Sequence, residues 1–194
     1  VIEGGQTMNP STAQIVEAIE RTTASDVIIL PNNPNILLAA QQAADMADGK
    51  RVKVVPTRTI PQGVAAMLAL DQDAALEENA VAMLTSSADV ITAEVTSATR
   101  NVRLNGIEVR EGDAIGLLED ELVVDASSFE EAVRWLLAEV EIDGRELVTL
   151  YYGAQVTQEQ ANALVDELAG YYPDLEFEIV FGGQPHYPYI LSIE

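Results

Sequence analysis

The first 72 residues alternate short apolar strands with helices, and this alternation constrains the fold more than any other feature of the sequence. Strands joined by helices run parallel, and continuous apolar strands are typical of a sheet that is covered on both faces. The sequence therefore predicts an α/β fold that opens with a parallel β-α-β subdomain over residues 1–72. Its predicted strands are Asp26–Leu30 and Arg51–Val55, and its predicted helices are Pro10–Arg21, Pro34–Ala47 and Gln62–Leu70.

From residue 73 onward the spacing of apolar and turn residues changes, and a second subdomain is predicted over 73–194. After a helix at 74–88, strands at 91–104, 107–110, 114–118 and 122–125 predict a β-meander, with Asn105-Gly106 as a hairpin turn. Ser128 is predicted to cap a helix over 129–140, with Glu131 in the capping-box position. The spacing then predicts a β-α-β unit at 147–152, 158–172 and 177–181 and a last strand at 189–193. This is a second α/β subdomain with a mostly antiparallel sheet.

The net charge, the absence of cysteine and the single histidine exclude several classes of function. The chain has 32 acidic and 10 basic side chains, a net charge of −22, which repels nucleic-acid phosphates and anionic lipid headgroups. No apolar run reaches the ~18 residues of a membrane span. Cysteine is absent and His186 is the single histidine, which rules out thiolate and multi-histidine metal sites. We expect a cytoplasmic protein with no nucleic-acid partner and no membrane insertion.

Three polar loops carry the candidate binding residues. They are Gly4–Thr12, Pro31–Asn35 and Pro56–Gly63. The first follows Val1–Glu3, which is interpreted as the end of a strand, the other two follow the predicted strands, and each leads into a helix. In an open parallel sheet such loops converge at the carboxyl edge, where helix N-termini attract anions. The convergence predicts a site for a carboxylate, a phosphate or an acidic side chain of a partner. The candidate ligand- or partner-binding residues are Gln6, Thr7, Asn9, Ser11, Asn32, Asn33, Thr57, Arg58, Thr59 and Gln62.

Each of these loops also fits a local role. Asn9 or Ser11 can cap the following helix, and the amides after Pro31 can bond their own backbone in a turn. The basic residues near the third loop are similarly ambiguous: Lys50, Arg51, Lys53 and Arg58 make a local positive patch on an acidic chain. They are typical of a docking surface, and equally of the charged protection of a strand edge.

Motifs of catalysis are missing from the sequence. A nucleotide-binding P-loop requires Gly-x-x-x-x-Gly-Lys-Ser/Thr, and the single Gly-Lys pair, Gly49-Lys50, is followed by arginine. There is no Gly-x-Gly-x-x-Gly and no Gly-x-Ser-x-Gly. Asp71 and Asp73 lead into a helix and are interpreted as capping residues. We therefore predict no catalytic residue, no bound metal and no cofactor in this chain.

Four long blocks resemble a known family. They are GGQTMNPST at 4–12, VIILPNNPNI at 27–36, VVPTRTIPQGVAAML at 54–68 and GGQPHYPYILSIE at 182–194. Together they resemble the C-terminal region of fatty acid kinase A-subunits, also described as dihydroxyacetone-kinase-like or DAK phosphatase proteins. The first block is also similar to the Thr-Ser-Gln-Pro-Ser loop of DegV-type fatty-acid-binding proteins. That likeness places Gln6, Thr7, Asn9 and Ser11 where the related loop binds its ligand, with Gly5 in place of a serine.

The resemblance implies a function for the whole protein. Members of the family carry an N-terminal kinase domain that binds ATP and Mg²⁺, and they phosphorylate a fatty acid held by a separate DegV-type carrier, for phospholipid synthesis. Our leading hypothesis is that this chain is a non-catalytic docking and regulatory domain for the loaded carrier and for its own kinase domain. The alternatives are a stand-alone domain that binds or hydrolyses a small anion or fatty acid, and a structural domain that forms a homodimer.

Overall fold

The computed structural model describes residues 1–2, 9–104 and 106–194, which form two compact units, Val1–Val90 and Ile91–Glu194. The first unit contains α1 (Thr12–Arg21), β1 (Asp26–Ile29), α2 (Leu37–Met46), β2 (Arg51–Val54), α3 (Ile60–Leu68) and α4 (Leu76–Ala88). The division falls later than the boundary expected after residue 72. The reason is that α4 packs against α3, β1 and β2, so it belongs to the first unit.

The first unit is built on a parallel strand pair. β1 and β2 are in register from Asp26 opposite Arg51 to Ile29 opposite Val54, as the alternation predicts. Alternate side chains of the pair point to opposite faces. One face packs on α1 and α2, and the other packs around Val55, Ala66 and Met83 from the segment that contains α3 and α4. The apolar residues of the pair are thereby partly buried on both faces, whereas Arg51 and Lys53 of β2 remain exposed.

The second unit contains a mixed sheet. Its elements are β3 (Ile91–Ser97), β4 (Val102–Leu104), β5 (Ile107–Val109), β6 (Ala114–Leu118), β7 (Glu121–Ala126), α5 (Phe129–Glu139), β8 (Leu147–Tyr152), α6 (Gln158–Tyr171), β9 (Glu176–Phe181) and β10 (Tyr189–Ile193). Six strands are ordered β7-β6-β3-β10-β8-β9, and the β8–β9 pair alone among them is parallel. The predicted fold class, a parallel subdomain followed by a mostly antiparallel one, is confirmed.

The core of the second unit lies between this sheet and its two long helices. Alternate residues of the central strands, including Ala93, Val95 and Leu191, pack against Leu136 of α5 and Leu164 of α6. The period of two along the strands and the apolar stripes of the helices thus meet in one layer. None of the described helices is long and apolar enough to cross a membrane.

Two local expectations were wrong. The strand expected over 91–104 ends at Ser97, because Ala98 bonds to the turn through its N–H to Asp113 and its carbonyl to Gly112. The chain then leaves the sheet and forms the separate hairpin β4–β5. Ser128 does cap α5, but the carboxylate of Glu131 accepts the N–H of Ser127 at 2.8 Å rather than that of the cap residue.

Glu94 generates a prediction because its carboxyl group lies on a central strand. It stands opposite Leu117 of β6 and Ile190 of β10, and burial raises its pKa to about 7, with Asp120 and Glu119 adding to the shift. The folded state therefore holds this proton more tightly than the unfolded state does. Stability should fall as the pH rises from the unfolded pKa, ~4.3, through 7.

We expect Glu94→Gln to remove this pH dependence. Between pH 5 and pH 8.5 the wild type should lose on the order of 2 kcal/mol more unfolding free energy than the variant does. Urea unfolding followed by circular dichroism at both pH values measures the difference. Parallel pH profiles for the two proteins would contradict the buried position of this carboxyl group.

Candidate functional site

The second and third polar loops meet at the carboxyl ends of β1 and β2. The backbone N–H of Asn32 donates to Thr57 Oγ1 at 3.1 Å, and the Thr57 hydroxyl donates to Asn32 Oδ1 at 2.7 Å. Thr57 is buried and Asn32 is partly buried. The two loops are therefore joined side chain to side chain and side chain to backbone at the edge where a ligand would be expected.

Asn32 adopts a backbone conformation that few residues tolerate. Its φ is 53°, in the left-handed region where asparagine is enriched. Its side chain lies directly over Gly63 in the first turn of α3. The approach is so close that a Cβ atom at position 63 would stand 2.2 Å from Asn32 Oδ1. Glycine at 63 thus permits the close approach of the second loop to the helix that follows the third loop.

The polar side chains at the start of α3 cap their own helix. Thr59 Oγ1 accepts the Gln62 N–H at 3.3 Å, and Gln62 Oε1 accepts the Arg58 N–H at 2.8 Å. Pro61 has no N–H to offer. Most of the donors that an anion would use at this helix N-terminus are therefore absent or already bonded. Thr59 and Gln62 are buried, and Arg58 is exposed.

The remaining candidates lie apart or have local partners. Asn33 Oδ1 accepts the Asn35 N–H at 2.9 Å in a turn of its own. Ser11 caps α1 through a reciprocal pair of bonds with Gln14. Asn9 is exposed. Gln6 and Thr7 lie outside the described residues, so the part of the first loop assigned by resemblance has no geometry to report.

The predicted positive patch is largely engaged within the fold. Lys50 Nζ donates to Ile19 O at 2.8 Å and also to Thr22, which satisfies the carbonyls at the end of α1. Arg51 forms a two-point ion pair with Asp26 across β1 and β2. The hydrogen bond and the charge of Asp26 raise the pKa of the guanidinium. Lys50 and Arg51 therefore have partners within the first unit, and Arg51, Lys53 and Arg58 are all exposed.

Sequence reasoning missed an exposed apolar stripe on α3. Ile60, Val64, Met67 and Leu68 recur at helical spacing and turn outward, while Ala65 and Ala66 on the opposite side are buried. Leu68 is 81% exposed. The signal was present in the segment IPQGVAAML, which carries no charge on any face, whereas a surface helix normally has a polar one. The stripe begins two residues after Arg58, beside the joined loops.

No group of three or more His, Cys, Asp or Glu residues within the described parts of the chain could hold a metal ion. The acidic residues before α4 have local roles. Asp71 Oδ1 accepts the Asp73 N–H at 2.9 Å, and the buried Asn79 bonds to both the N–H and the carbonyl of Asp71. The interpretation of Asp71 and Asp73 as capping residues was wrong: the N-cap of α4 is Ala75, whose N–H donates to the Glu78 carboxylate at 3.1 Å, and the Asp71 bonds close a turn before the helix.

Solved structures share this fold. A DegV family protein of Corynebacterium glutamicum matches with a TM-score of 0.66 and 17% identity, over 100% of this chain and 86% of that one. The fatty acid kinase B3 protein of Streptococcus pneumoniae, loaded with linoleic acid, matches with a TM-score of 0.64 and 13% identity over 95% and 76%. The dihydroxyacetone kinase of C. freundii matches with a TM-score of 0.62 and 14% identity over 96% and 42%. The chain therefore has the DegV fold.

The family follows from sequence. The model of the FakA-like C-terminal family, which describes the C-terminal region of proteins like the fatty acid kinase A-subunit, matches residues 1–194, and the chain belongs to this family. Protein YloV of Bacillus subtilis is 41% identical over 194 residues. A protein of Staphylococcus aureus (strain MRSA252) has the same identity over the same length. The chain spans 35% of the length of these relatives. The resemblance drawn from the four sequence blocks is confirmed.

The joined loops generate the second prediction. Thr57→Val keeps the shape of the side chain but removes the oxygen that bonds Asn32 twice, so a partly buried amide loses its partner. We expect a loss of about 1–3 kcal/mol in unfolding free energy, measured by urea denaturation. Thr57→Ser keeps the hydroxyl and should lose less. A loss in Thr57→Ser with none in Thr57→Val would indicate that the methyl group, and not the hydrogen bonds, matters at this position.

Proposed function

We propose that this chain is the non-catalytic docking and regulatory domain of a fatty acid kinase, and that it engages a DegV-type carrier protein loaded with fatty acid. In this proposal the kinase domain lies elsewhere in the protein and binds ATP and Mg²⁺ there. The family of the chain supports it, as does the 35% share of its relatives' length, which leaves room for a further domain.

The exposed apolar stripe of α3 is the observation that carries the proposal. Four large apolar side chains in a helix of nine residues, with no charge among them, are unusual on a free surface. Interfaces between proteins combine an apolar centre with a polar rim that includes arginine. The stripe supplies the centre, and Arg58 at its N-terminal end supplies part of the rim.

The hydrogen bonds of the loops favour docking over the alternative of a free-anion site. Thr57, Thr59, Asn33 and Gln62 use their polar atoms on each other and on the backbone. A site for a small anion requires donors that point outward and remain available. The loops are better suited to hold the start of α3 in a fixed position, so that its outer face is presented to a partner.

The mechanism in this proposal is positional. Transfer of a phosphoryl group to a carboxylate requires the two to be held close and aligned, and fixing a bimolecular encounter in this way can supply several kcal/mol of the barrier. A domain that binds both the loaded carrier and its own kinase domain provides that alignment. It needs no catalytic residue of its own.

The third prediction places a charge in the apolar stripe. In the full-length protein, Leu68→Arg should weaken binding to the loaded carrier by tenfold or more, because the buried centre of an interface excludes an unpaired charge. Titration calorimetry with the fatty-acid-loaded carrier measures the affinity. Leu38→Arg is the matched control: Leu38 is 67% exposed on α2, which packs on the other face of the β1–β2 pair, and this variant should leave the affinity unchanged. Equal affinities for both variants would show that the stripe is not part of the interface.

The fourth prediction concerns Arg58. Arg58→Ala should leave the unfolding free energy within ~0.5 kcal/mol of the wild type, because the residue is exposed in a loop. It should weaken carrier binding at low salt, and the difference should shrink as salt is added, since rim charges act mainly on association. Arg21→Ala, at the exposed end of α1, removes the same charge elsewhere and serves as control. Unchanged association rates for Arg58→Ala at low salt would assign the loop a purely structural role.

A further inference from the structure

The second unit has a groove between α5 and α6 on the side turned away from the sheet. It encloses about 320 Å³ and is lined by Glu131, Arg134, Trp135, Leu168, Tyr171 and Tyr172. A second hollow of about 220 Å³ lies along the same two helices and shares Arg134 with the first. The two hollows therefore adjoin at Arg134, between the same two helices.

Large aromatic side chains of this groove face solvent. Trp135 is 54% exposed and Tyr171 is 68% exposed, although the same helices bury Leu136, Leu137 and Leu164 completely or nearly so. The core of the unit is filled without these rings, so their presence on the surface is not required by packing. Exposed tryptophan and tyrosine are enriched where proteins bind one another, because they offer wide contact area with few rotatable bonds.

The groove is also negatively charged. α5 and α6 carry six acidic side chains and one basic side chain, Arg134, whose guanidinium is paired with Glu167 at 3.1 Å. Hydrogen bonds from Ser127, and a further one from Trp135, lower the pKa of Glu131 and hold its carboxylate at the wall of the groove. The whole unit has 21 acidic and five basic residues, a net charge of −16.

Aromatic faces beside a fixed carboxylate select cations. A guanidinium or ammonium group stacks on tryptophan and tyrosine rings, and its aliphatic stem packs on the same surface. We propose that the α5–α6 groove is a second docking site of this protein, and that it takes a segment of a protein partner bearing arginine or lysine between apolar residues. The groove shares no residue with the α3 stripe, and its test does not depend on the carrier-docking proposal.

Trp135 provides a direct readout, because it is the single tryptophan of the sequence. The 194-residue chain is titrated with a short peptide of alternating leucine and arginine, and with the same peptide carrying glutamate in place of arginine. The arginine peptide should change the emission of Trp135 in a saturable way, and the glutamate peptide should not. Absence of any emission change with the arginine peptide would overturn the proposal.

Diffuse attraction to an acidic chain is separated from groove binding by variants that leave the charge unchanged. Tyr171→Ala should lower the affinity for the arginine peptide roughly tenfold, which is about 1.4 kcal/mol of binding free energy. Phe181→Ala, at a residue 63% exposed on β9 and outside the groove, should bind like the wild type. Unchanged affinity in Tyr171→Ala would show that net charge alone attracts the peptide, and the proposal would fail.

A second pair of variants keeps the test decisive if Tyr171→Ala does not fold. Glu131→Gln removes a charge from the groove wall and should lower the affinity for the arginine peptide several-fold. Glu159→Gln removes a charge from the start of α6, outside the groove lining, and should leave the affinity unchanged. Tetramethylammonium chloride is titrated in parallel. If it produces the same emission change and the peptide binds no more tightly, the groove is a small-cation site and the proposal of a protein segment is wrong.

Discussion

The pair of hydrogen bonds between Thr57 and Asn32 is the interaction on which the candidate site depends. It joins the ends of the two parallel strands, holds Asn32 in a left-handed conformation over Gly63, and thereby sets the position of the first turn of α3. A buried threonine bonded in this way leaves little freedom to the loops around it. The outward face of α3 is consequently presented on a rigid support, although the loops themselves look polar and open in the sequence.

The polar and apolar residues of this edge have roles opposite to those usually expected. The threonines and the glutamine are buried and satisfied, while isoleucine, methionine and leucine face water. Burying a polar group is tolerated when it is hydrogen-bonded, and among the described residues no buried side-chain nitrogen or oxygen lacks a partner. An exposed apolar stripe has no comparable compensation, which is why a partner surface explains it better than the fold does.

Much of the fold could be predicted because it depends on local patterns. The parallel pair β1–β2 follows from apolar runs separated by helical spacing, and the caps Ser11 and Ser128 follow from residue type and position. What escaped prediction depends on contacts between distant segments. Nothing in the run GKRVKV indicates that Lys50 reaches back to α1, or that Arg51 pairs with Asp26. The end of β3 at Ser97 likewise depends on a turn more than ten residues away.

The position of β10 has a consequence for the order of events during synthesis. This strand is the last of its unit in the chain, yet it lies between β3 and β8 in the sheet, and β3 is the first. Its residues pair with segments that leave the ribosome about forty and about a hundred residues earlier. The sheet of the second unit therefore stays divided into two parts until residues 189–193 have been made. During that interval the edges of β3 and β8 are exposed and can pair with strands of other chains. Until β10 is in place, this pairing has to be prevented by the sequence itself or by other proteins of the cell.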